Sequence, residues 1–457
     1  MCALALPVAA DAAGGGPVRV TTSRLDLVIS ADGANPVEWR AQTDRTSFPF
    51  TGEGDPPAAR LVLRGVDLQR VPFSLVDLTE NARFRIATFE SDPSGPLAIE
   101  GVRIVKAFAL SKDSYEVLMT VRLRGPNAAA FMAGRRLEVE LAAGRGLQPA
   151  PAAGFAAMLE RVSRVEVGEG GSVWTGFRGR FWAMLMRHAD DPEGLTWRYT
   201  FYSGPIEDRA LTRVDPELRQ LLFSGLWSWL RVLSFGLLFL LRGLTTIVGH
   251  PGVAIIALAV SVKIFLLPLT AVAERLQEQV NATQARLQPG IDAIKAAHRG
   301  EERARRTLAL YREHGVHPLY TWKSLVGVLI QLPVFIAVFD MLAEDVDLYR
   351  VPFLWIPDLS RPDALLQSPV CVPFFGCELN LLPFLMSGVS LATLLRFRSA
   401  VLTPPLVRRQ RRNLMAMTIL FFLLFYTFPA GMVLYWTSTN CVQLVGQELW
   451  RLRPRRV

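Results

Sequence analysis

The sequence has few of the residues from which catalytic and metal sites are built. Among 457 residues there are four cysteines and five histidines, and no C-x-x-C pair or metal-spaced Cys/His cluster occurs. Nucleophile-elbow, zinc-protease and P-loop motifs are also missing from the sequence. These absences exclude a disulfide scaffold and give no support for an enzyme, so we expect no catalytic residues, no metal and no organic cofactor.

Charged residues are scarce too, at 20% of the chain against 51% hydrophobic residues. Residues 1 to about 215 have the composition of a soluble domain, whereas the remainder holds long apolar runs separated by arginine clusters. This distribution excludes a purely soluble enzyme and a disordered protein. The net charge of +9 would suit nucleic acid, but the arginines flank apolar runs. Membrane orientation explains them better, and we expect no nucleic-acid specificity.

The amino-terminal part of the chain predicts an all-β domain. Residues 1–16 begin with MCALALPVAA, which is too short to span a membrane and has no preceding Lys or Arg. We interpret it as a leader remnant or a truncated first span. Residues 17–215 alternate apolar and polar side chains, in runs such as YEVLMTVRLRG and RRLEVELAAG. Turn residues separate these runs, which favours a many-stranded antiparallel sandwich.

A transition segment at 216–249 contains ten uncharged, mostly apolar residues, 232–241, flanked by arginines and preceded by two tryptophans. Ten residues are few for a span, and tryptophan with arginine is typical of the membrane interface. We interpret the segment as an amphipathic helix on the membrane surface. The alternative is a true span over 221–241.

The core of the membrane region is predicted at 250–448. We expect five spans because five runs are sufficiently apolar. The last two runs lie within 35 uncharged residues, which as one helix would extend about 50 Å, longer than the bilayer core. A Phe-Pro-Ala-Gly break divides them. The approximate spans are 253–270, 324–343, 379–395, 413–428 and 430–446.

Charge predicts the orientation of these spans. Segment 271–322 carries eight Lys/Arg, segment 396–412 carries six, and the basic tail 449–457 carries four. Segment 344–378 carries two Arg against six acidic residues. The positive-inside rule therefore places the three basic segments in the cytoplasm and, with five spans, the β domain outside. A sixth span would reverse the side of the β domain.

Segment 271–322 is longer, and its apolar residues are more regularly spaced, than a simple connector between two spans requires. Apolar residues recur at spacings of three and four up to Ile294, a turn follows at 298–300, and a second stripe runs to Tyr311. This pattern predicts a cytoplasmic helical hairpin.

Lys263 is the most informative single residue. It lies eleven residues into the first span, close to the bilayer centre, where a cation costs about 2.5–3.5 kcal/mol. Such a residue normally faces a bundle interior or a wet cavity, although a lysine that snorkels to the cytoplasmic surface is the simpler alternative. Polar groups on other spans, Gln331, Asp340 and the run 437–440, suggest a hydrophilic intramembrane groove. Cys371 and Cys377 lie in the predicted external loop, where a disulfide is as plausible as two thiols.

Several motifs resemble those of the YidC/Oxa1/Alb3 membrane insertases. The run YREHGVHPLYTWKSLVGVLIQLPVF (Tyr311 to Phe335) is similar to the family's signature before and within a span. VKIFLLPLT (Val262 to Thr270) is similar to its charged span, and FPAGMVLYWTSTN (Phe428 to Asn440) to its last hairpin. FYSGP (Phe201 to Pro205) looks like the end of the periplasmic domain of the Gram-negative type.

The resemblance implies a fold and a function. The fold is a multi-pass inner-membrane helical bundle with a periplasmic β-supersandwich, and the function is insertion of nascent membrane proteins into the bilayer, alone or with the Sec translocon and the ribosome. The family's intramembrane cation corresponds to Lys263, and substrate segments slide along 324–343 and 413–428. The candidate groove and contact residues are Lys263, Gln331, Leu332, Phe425, Tyr435, Trp436, Ser438 and Asn440.

The sequence departs from the family's pattern at several points. Lysine stands at 263 where arginine is usual, and HPLYTWK differs from the commoner hairpin ending. Gram-negative members begin with a further span, which we expect upstream of this sequence. The main competing hypothesis is a transporter or channel with Lys263 at its ion or substrate site. A carbohydrate-binding role for the β domain, with sugars stacked on Trp174, Trp182 or Trp197, is a weaker alternative than core packing of these rings.

Overall fold

The structure is a computed structural model. It describes residues 16–63, 66–95, 97, 101–133, 135–144, 154–168, 173–190, 195–317, 319–373, 375–396 and 404–452. Residues 1–15 of the predicted leader and residues 453–457 of the predicted basic tail lie outside the described residues. The chain forms two compact units, one of residues 1–152 and 157–224, the other of residues 153–156 and 225–457.

The first unit is the predicted all-β region. Its strands are β1 (Val18–Thr21), β2 (Leu25–Ile29), β3 (Pro36–Gln42), β4 (Ser47–Thr51), β5 (Ala59–Leu63), β6 (Phe73–Glu80), β7 (Phe84–Ser91), β8 (Arg103–Ser111), β9 (Glu116–Arg124), β10 (Leu137–Leu141), β11 (Ser163–Val167), β12 (Trp174–Arg178), β13 (Trp182–Asp190) and β14 (Thr196–Pro205). Short helices α1 (Ala128–Met132), α2 (Gly154–Leu159) and α3 (Asp208–Val214) accompany them, with a 3-10 turn at Pro216–Leu221.

The strands pair in antiparallel sheets. One sheet has the order β1-β2-β3-β4, a large sheet has the order β11-β12-β13-β14-β9-β8-β7-β6, and β10 pairs with β5. The alternation of apolar and polar residues in the sequence corresponds to an alternation of buried and more exposed side chains in the strands. In β8, every second residue is buried over most of the strand. One apolar face per strand is what an antiparallel sandwich requires.

Aromatic rings fill the space between the sheets. Trp39 of β3 and Phe201 of β14 are fully buried, and their ring centroids lie 5.5 Å apart. Trp182 stacks on Phe48 at 4.5 Å, and Trp174 is fully buried as well. The tryptophans proposed as alternative sugar platforms are therefore core residues, since Trp197 is only 8% exposed.

The second unit is helical. Its helices are α4 (Ser228–Val248), α5 (Pro251–Ala297), α6 (Gly300–Glu313), α7 (Val326–Glu344), α8 (Leu382–Arg396), α9 (Pro404–Phe425) and α10 (Ala430–Leu452), with a hairpin of β15 (Leu366–Val372) and β16 (Gly376–Leu379) before α8. Helix α10 packs against α5 and α8, and α4 packs against α5 and α7. An all-β region followed by a helical region with several apolar helices is the predicted fold.

Local signals separate α4 from α5. Helix α4 ends at Val248 and is followed by Gly249, whose φ of 75° is in the left-handed region that favours glycine. Helix α5 begins with Pro251 at its first turn, and Nδ1 of His250 accepts a hydrogen bond from the Gly252 amide at 3.0 Å. Gly252 has no room for a side chain, because a Cβ there would lie 2.4 Å from the Phe353 ring.

Helix α5 joins the predicted first span to the cytoplasmic hairpin without interruption. It runs for 47 residues, about 70 Å, through both Pro268 and Pro289. It ends at Ala297, and α6 starts at Gly300, whose φ is 60°. The two helices form the hairpin that the apolar stripes indicated.

The five-span count is not established by helix length. Among the described residues, three helical segments are long and apolar enough to cross a membrane, namely Ser228–Val248, Pro251–Ala297 and Trp322–Glu344. Leu382–Arg396 is apolar but shorter. The predicted spans 413–428 and 430–446 correspond to α9 and α10, whose apolar stretches share their helices with arginines or polar residues. The surface location of 216–249 stays a prediction, since α4 has 21 residues and is one of the three long segments.

Candidate substrate groove

Lys263 lies on α5 and faces α10. Its side chain is half-buried, and its Nζ donates a hydrogen bond to Oε1 of Gln443 at 3.4 Å. On the same helix Val262 and Leu266 are buried, whereas Phe265 is 80% exposed. Helical spacing therefore points Lys263 toward the neighbouring helix and leaves the opposite side of α5 apolar.

Helix α10 supplies a second polar contact. Nδ2 of Asn440 donates a hydrogen bond to Oγ of Ser390 on α8 at 3.0 Å. Asn440 and Gln443 are three residues apart, so they lie on adjoining parts of one helix surface. Polar side chains on α10 therefore contact α5 on one side and α8 on the other.

The hydroxyls beside Asn440 are mostly engaged with their own helix. Thr437 donates to the Val433 carbonyl at 2.7 Å, and Ser438 donates to the Leu434 carbonyl at 2.7 Å. Thr439 likewise donates to Tyr435, at 3.0 Å. These bonds satisfy the hydroxyls within the helix, so Ser438 contributes polarity to the site only weakly.

Helix α7 carries the predicted contact residues Gln331 and Leu332. Gln331 is half-buried, and Leu332 is 48% exposed. No hydrogen bond connects Gln331 with Lys263 in the part of the chain that the structure describes. The two residues predicted to share a polar groove are thus on different helices, with no hydrogen bond between them among the described residues.

An aromatic cluster joins α7, α9 and α10. Phe425 is 1% exposed and stacks on Trp436 at 5.4 Å. Phe335 contacts Trp436 edge-on at 5.1 Å, and Phe421 lies 5.4 Å from it. Phe425 and the 5% exposed Tyr435 are therefore packed inside the bundle. The exposed surface of α9 is formed instead by residues such as Leu420, at 57%.

Gln443 and Ser390 were not singled out from the sequence. Gln443 lies one helical turn beyond the recognised Asn440, and this spacing is the signal that would have found it. Ser390 lies in an apolar helix, where a lone serine normally bonds its own backbone; its Oγ does donate to the Met386 carbonyl at 2.9 Å. Nothing local marks it as the partner of Asn440. No group of His, Cys, Asp and Glu able to hold a metal ion occurs among the described residues.

A closely packed loop lies before α8. Oδ2 of Asp363 accepts hydrogen bonds from the amides of Leu381 at 2.7 Å and Leu382 at 2.9 Å, which satisfies the free donors at the start of α8. Asn380 donates to the Tyr426 carbonyl at 2.8 Å. Cys371 and Cys377 form a disulfide across the β15–β16 hairpin, which decides between the two alternatives that the sequence left open.

The helical unit matches a known family. Residues 243–454 match the family model described as "60Kd inner membrane protein". A protein of Ralstonia nicotianae named "Membrane protein insertase YidC" is 34% identical over 249 residues, which is 54% of this chain and 40% of the relative. A protein of the same name from Shewanella pealeana is 26% identical over 444 residues, covering 92% of this chain and 75% of the relative.

The chain was also matched to a solved structure. The chain described as "Active YidC insertase crystal structure with the first transmembrane domain resolved" has 18% identity and a TM-score of 0.39, with 95% of this chain and 93% of that chain covered. The alignment with the Ralstonia relative takes in 40% of that relative's length. Residues 243–454 are thus the part of the chain that carries the match to the 60Kd inner membrane protein family, and the proteins named YidC are what the chain is similar to.

Proposed function

We propose that the protein inserts nascent apolar segments into the inner membrane and assists their folding. The relatives' name supports this function. The observation that carries it is the half-buried Lys263, held by the neutral Gln443 on the next helix. A cation with an uncharged partner inside an apolar bundle is suited to attract the acidic, hydrophilic end of a client transiently.

The proposed groove would lower the cost of moving polar residues through the bilayer. Lys263, Gln443 and Asn440 offer donors and acceptors where lipid offers none. The client's apolar segment would travel along the lipid-facing surface of α7 and α9, where Leu332 and Leu420 are exposed. Burial of that segment in lipid drives insertion, so no nucleotide chemistry is needed.

The charge pattern supports the proposed orientation, and the resemblance to the insertases supports the proposed partners. The α5–α6 hairpin, the 396–412 segment and the tail would face the cytoplasm, and the β unit the periplasm. The hairpin would receive clients from the ribosome, and the protein would work either alone or beside the Sec translocon. In this arrangement the loop with Cys371 and Cys377 lies in the oxidising compartment.

Site-specific photocrosslinking tests the client path. A photoreactive residue at Leu332 or Leu420 should capture ribosome-bound chains that carry one apolar span. The same probe at the buried Phe425 is the matched control and should capture fewer, because Phe425 is only 1% exposed. If neither exposed position yields client crosslinks while ribosomes are engaged, the proposed path is wrong, and ion-flux assays would then examine the transporter hypothesis.

Variants of Lys263 test the groove. Lys263→Ala should reduce insertion of a client with an acidic tail severalfold and spare a client with a neutral tail of equal length. Lys263→Arg should restore insertion because it retains the charge. Equal losses for both clients would contradict the electrostatic role of Lys263.

A further inference from the structure

Three hairpin turns and a short helix line an open cavity at one end of the β unit. The cavity has a volume of about 580 Å³, within the range of small-molecule sites. The turns are those between β1 and β2, β6 and β7, and β8 and β9, and α3 completes the wall. The β6–β7 and β8–β9 turns come together because β7, β8 and β9 are neighbours in the large sheet.

Hydrogen bonds hold these turns to one another. The Ser23 hydroxyl donates to the Lys112 carbonyl, and the Lys112 amide donates to the Arg83 carbonyl at 3.0 Å. From α3, Nη1 of Arg213 donates to the Asp113 carbonyl at 2.9 Å. The cavity is therefore a feature of the folded unit.

The lining is rich in guanidinium groups. Arg24, Arg83 and Arg213 reach it from three different elements. Arg24 pairs with Asp44, which is 88% exposed, and Arg83 pairs with Glu116. Each pair leaves further N–H donors on its guanidinium, which has five. Within the described part of the chain, Arg213 contacts no carboxylate.

A buried pair of serine hydroxyls lines the same cavity. Oγ of Ser111 accepts a hydrogen bond from the Ser114 amide at 3.2 Å, and the two hydroxyl oxygens lie 2.8 Å apart. Both serines line the cavity and are buried, at 3% and 7% exposure. The Ser114 hydroxyl donates to Oγ of Ser111, and the Ser111 hydroxyl proton has no acceptor among the described residues. An oxygen of a ligand would satisfy it.

We propose that this cavity binds a phosphate group carried on a small polyol, with glycerophosphate as the shared chemistry. Three guanidinium groups arriving from separate directions match an anion with several equivalent oxygens. The hydroxyl pair donates to one of those oxygens. The carboxylate of Asp113, which also lines the cavity, disfavours a bare anion but accepts hydrogen bonds from polyol hydroxyls. The source is either a free polyol phosphate or the headgroup of a glycerophospholipid.

Isothermal titration calorimetry on the full chain in neutral lipid nanodiscs tests the proposal. The probes are glycerol 1-phosphate, glycerophosphoglycerol as the deacylated lipid headgroup, inorganic phosphate and glycerol. The wild type should bind one or both glycerophosphates more tightly than inorganic phosphate, and glycerol not measurably. The preferred glycerophosphate identifies the source. The double variant Arg24→Gln/Arg213→Gln should weaken binding about tenfold to a hundredfold.

Matched variants distinguish a site from general positive charge. Arg70 is 87% exposed in its side chain and lies in the same unit outside the cavity lining, so Arg70→Gln should leave binding unchanged. Asp113→Asn should narrow the preference for glycerol 1-phosphate over inorganic phosphate. No heat with any phosphate probe, equal loss in Arg70→Gln, or equal affinity for glycerol would overturn the proposal. An unchanged melting temperature of the double variant verifies that it is folded.

Discussion

Nζ of Lys263 on α5 and Oε1 of Gln443 on α10 are 3.4 Å apart, although the two residues are 180 positions apart in the chain. The partner is a neutral amide, so the contact holds the lysine without cancelling its charge. A carboxylate in the same place would form an ion pair, whose interaction is strong in a medium of low dielectric constant.

Gln443→Glu should therefore reduce insertion of clients with acidic tails severalfold, although Lys263 itself is unchanged. Clients with neutral tails should be affected less, because they do not depend on the cation. Insertion of each kind of client into proteoliposomes is measured by protection of the client from added protease. Gln279→Glu, at an exposed position of the hairpin, is the control, and an equal loss in that variant would contradict a local effect.

Asp363→Ala should destabilise the helical unit by about 2–4 kcal/mol, because two amides at the start of α8 and Nε1 of Trp355 lose their acceptor. Asp363 is 2% exposed, so water cannot readily replace the carboxylate. Thermal unfolding in detergent measures the change. Asp363→Asn retains one acceptor oxygen and should cost less; equal costs for the two variants would show that the hydrogen bonds matter little.

The disulfide gives a direct test of orientation. In a Cys2→Ser/Cys441→Ser background, maleimide added to cells after acid trapping should label neither remaining cysteine before reduction and both afterwards. That outcome is expected only if the Cys371–Cys377 loop reaches the oxidising compartment. Labelling of both thiols without reductant would place the loop in the cytoplasm and contradict the predicted topology.

Lys106 should make the stability of the β unit depend on pH. Its ammonium donates to the Gly33 carbonyl and to Oδ1 of Asn35, and burial lowers its pKa from 10.5 to about 7. Between these pH values the unfolded chain binds a proton that the folded unit does not bind. Stability should therefore rise with pH from 7 toward 10, by up to about 1.4 kcal/mol per pH unit.

Urea unfolding followed by tryptophan fluorescence at several pH values measures this slope. Lys106→Met should remove the slope, and it should also lower stability at every pH because the buried oxygens lose their donor. Lys112→Met is the control, since Lys112 lies at the surface and pairs with Glu80. A slope that persists in Lys106→Met would assign the pH dependence to another group.

Much of the fold followed from local pattern. Alternation in YEVLMTVRLRG predicts a strand, and β9 occupies most of that run. The turn at 298–300 could be predicted because His-Arg-Gly separates two apolar stripes, and Gly300 does have a positive φ. The order of the strands in the sheets could not be predicted from the sequence. For example, β14 pairs with β9, although about seventy residues separate them in the chain.

In the candidate site, too, some residues could be identified from the sequence and others could not. Lys263 could be identified from sequence because a cation within an apolar run is locally anomalous. Phe425 could not be distinguished from an exposed slide residue, since a phenylalanine in an apolar helix has the same local pattern whether it faces lipid or another helix. Its stacking on Trp436 is a contact between α9 and α10.

Periodicity, hydropathy and charge are local properties, so they suffice to predict a β region followed by apolar helices, with one cation in the first long apolar run. The residues that contact that cation, the aromatic rings that are buried and the turns that line the arginine-rich cavity became known from the three-dimensional packing. Those outcomes depend on packing between segments distant in the chain, where many pairings have equally favourable local patterns and only one fills the space.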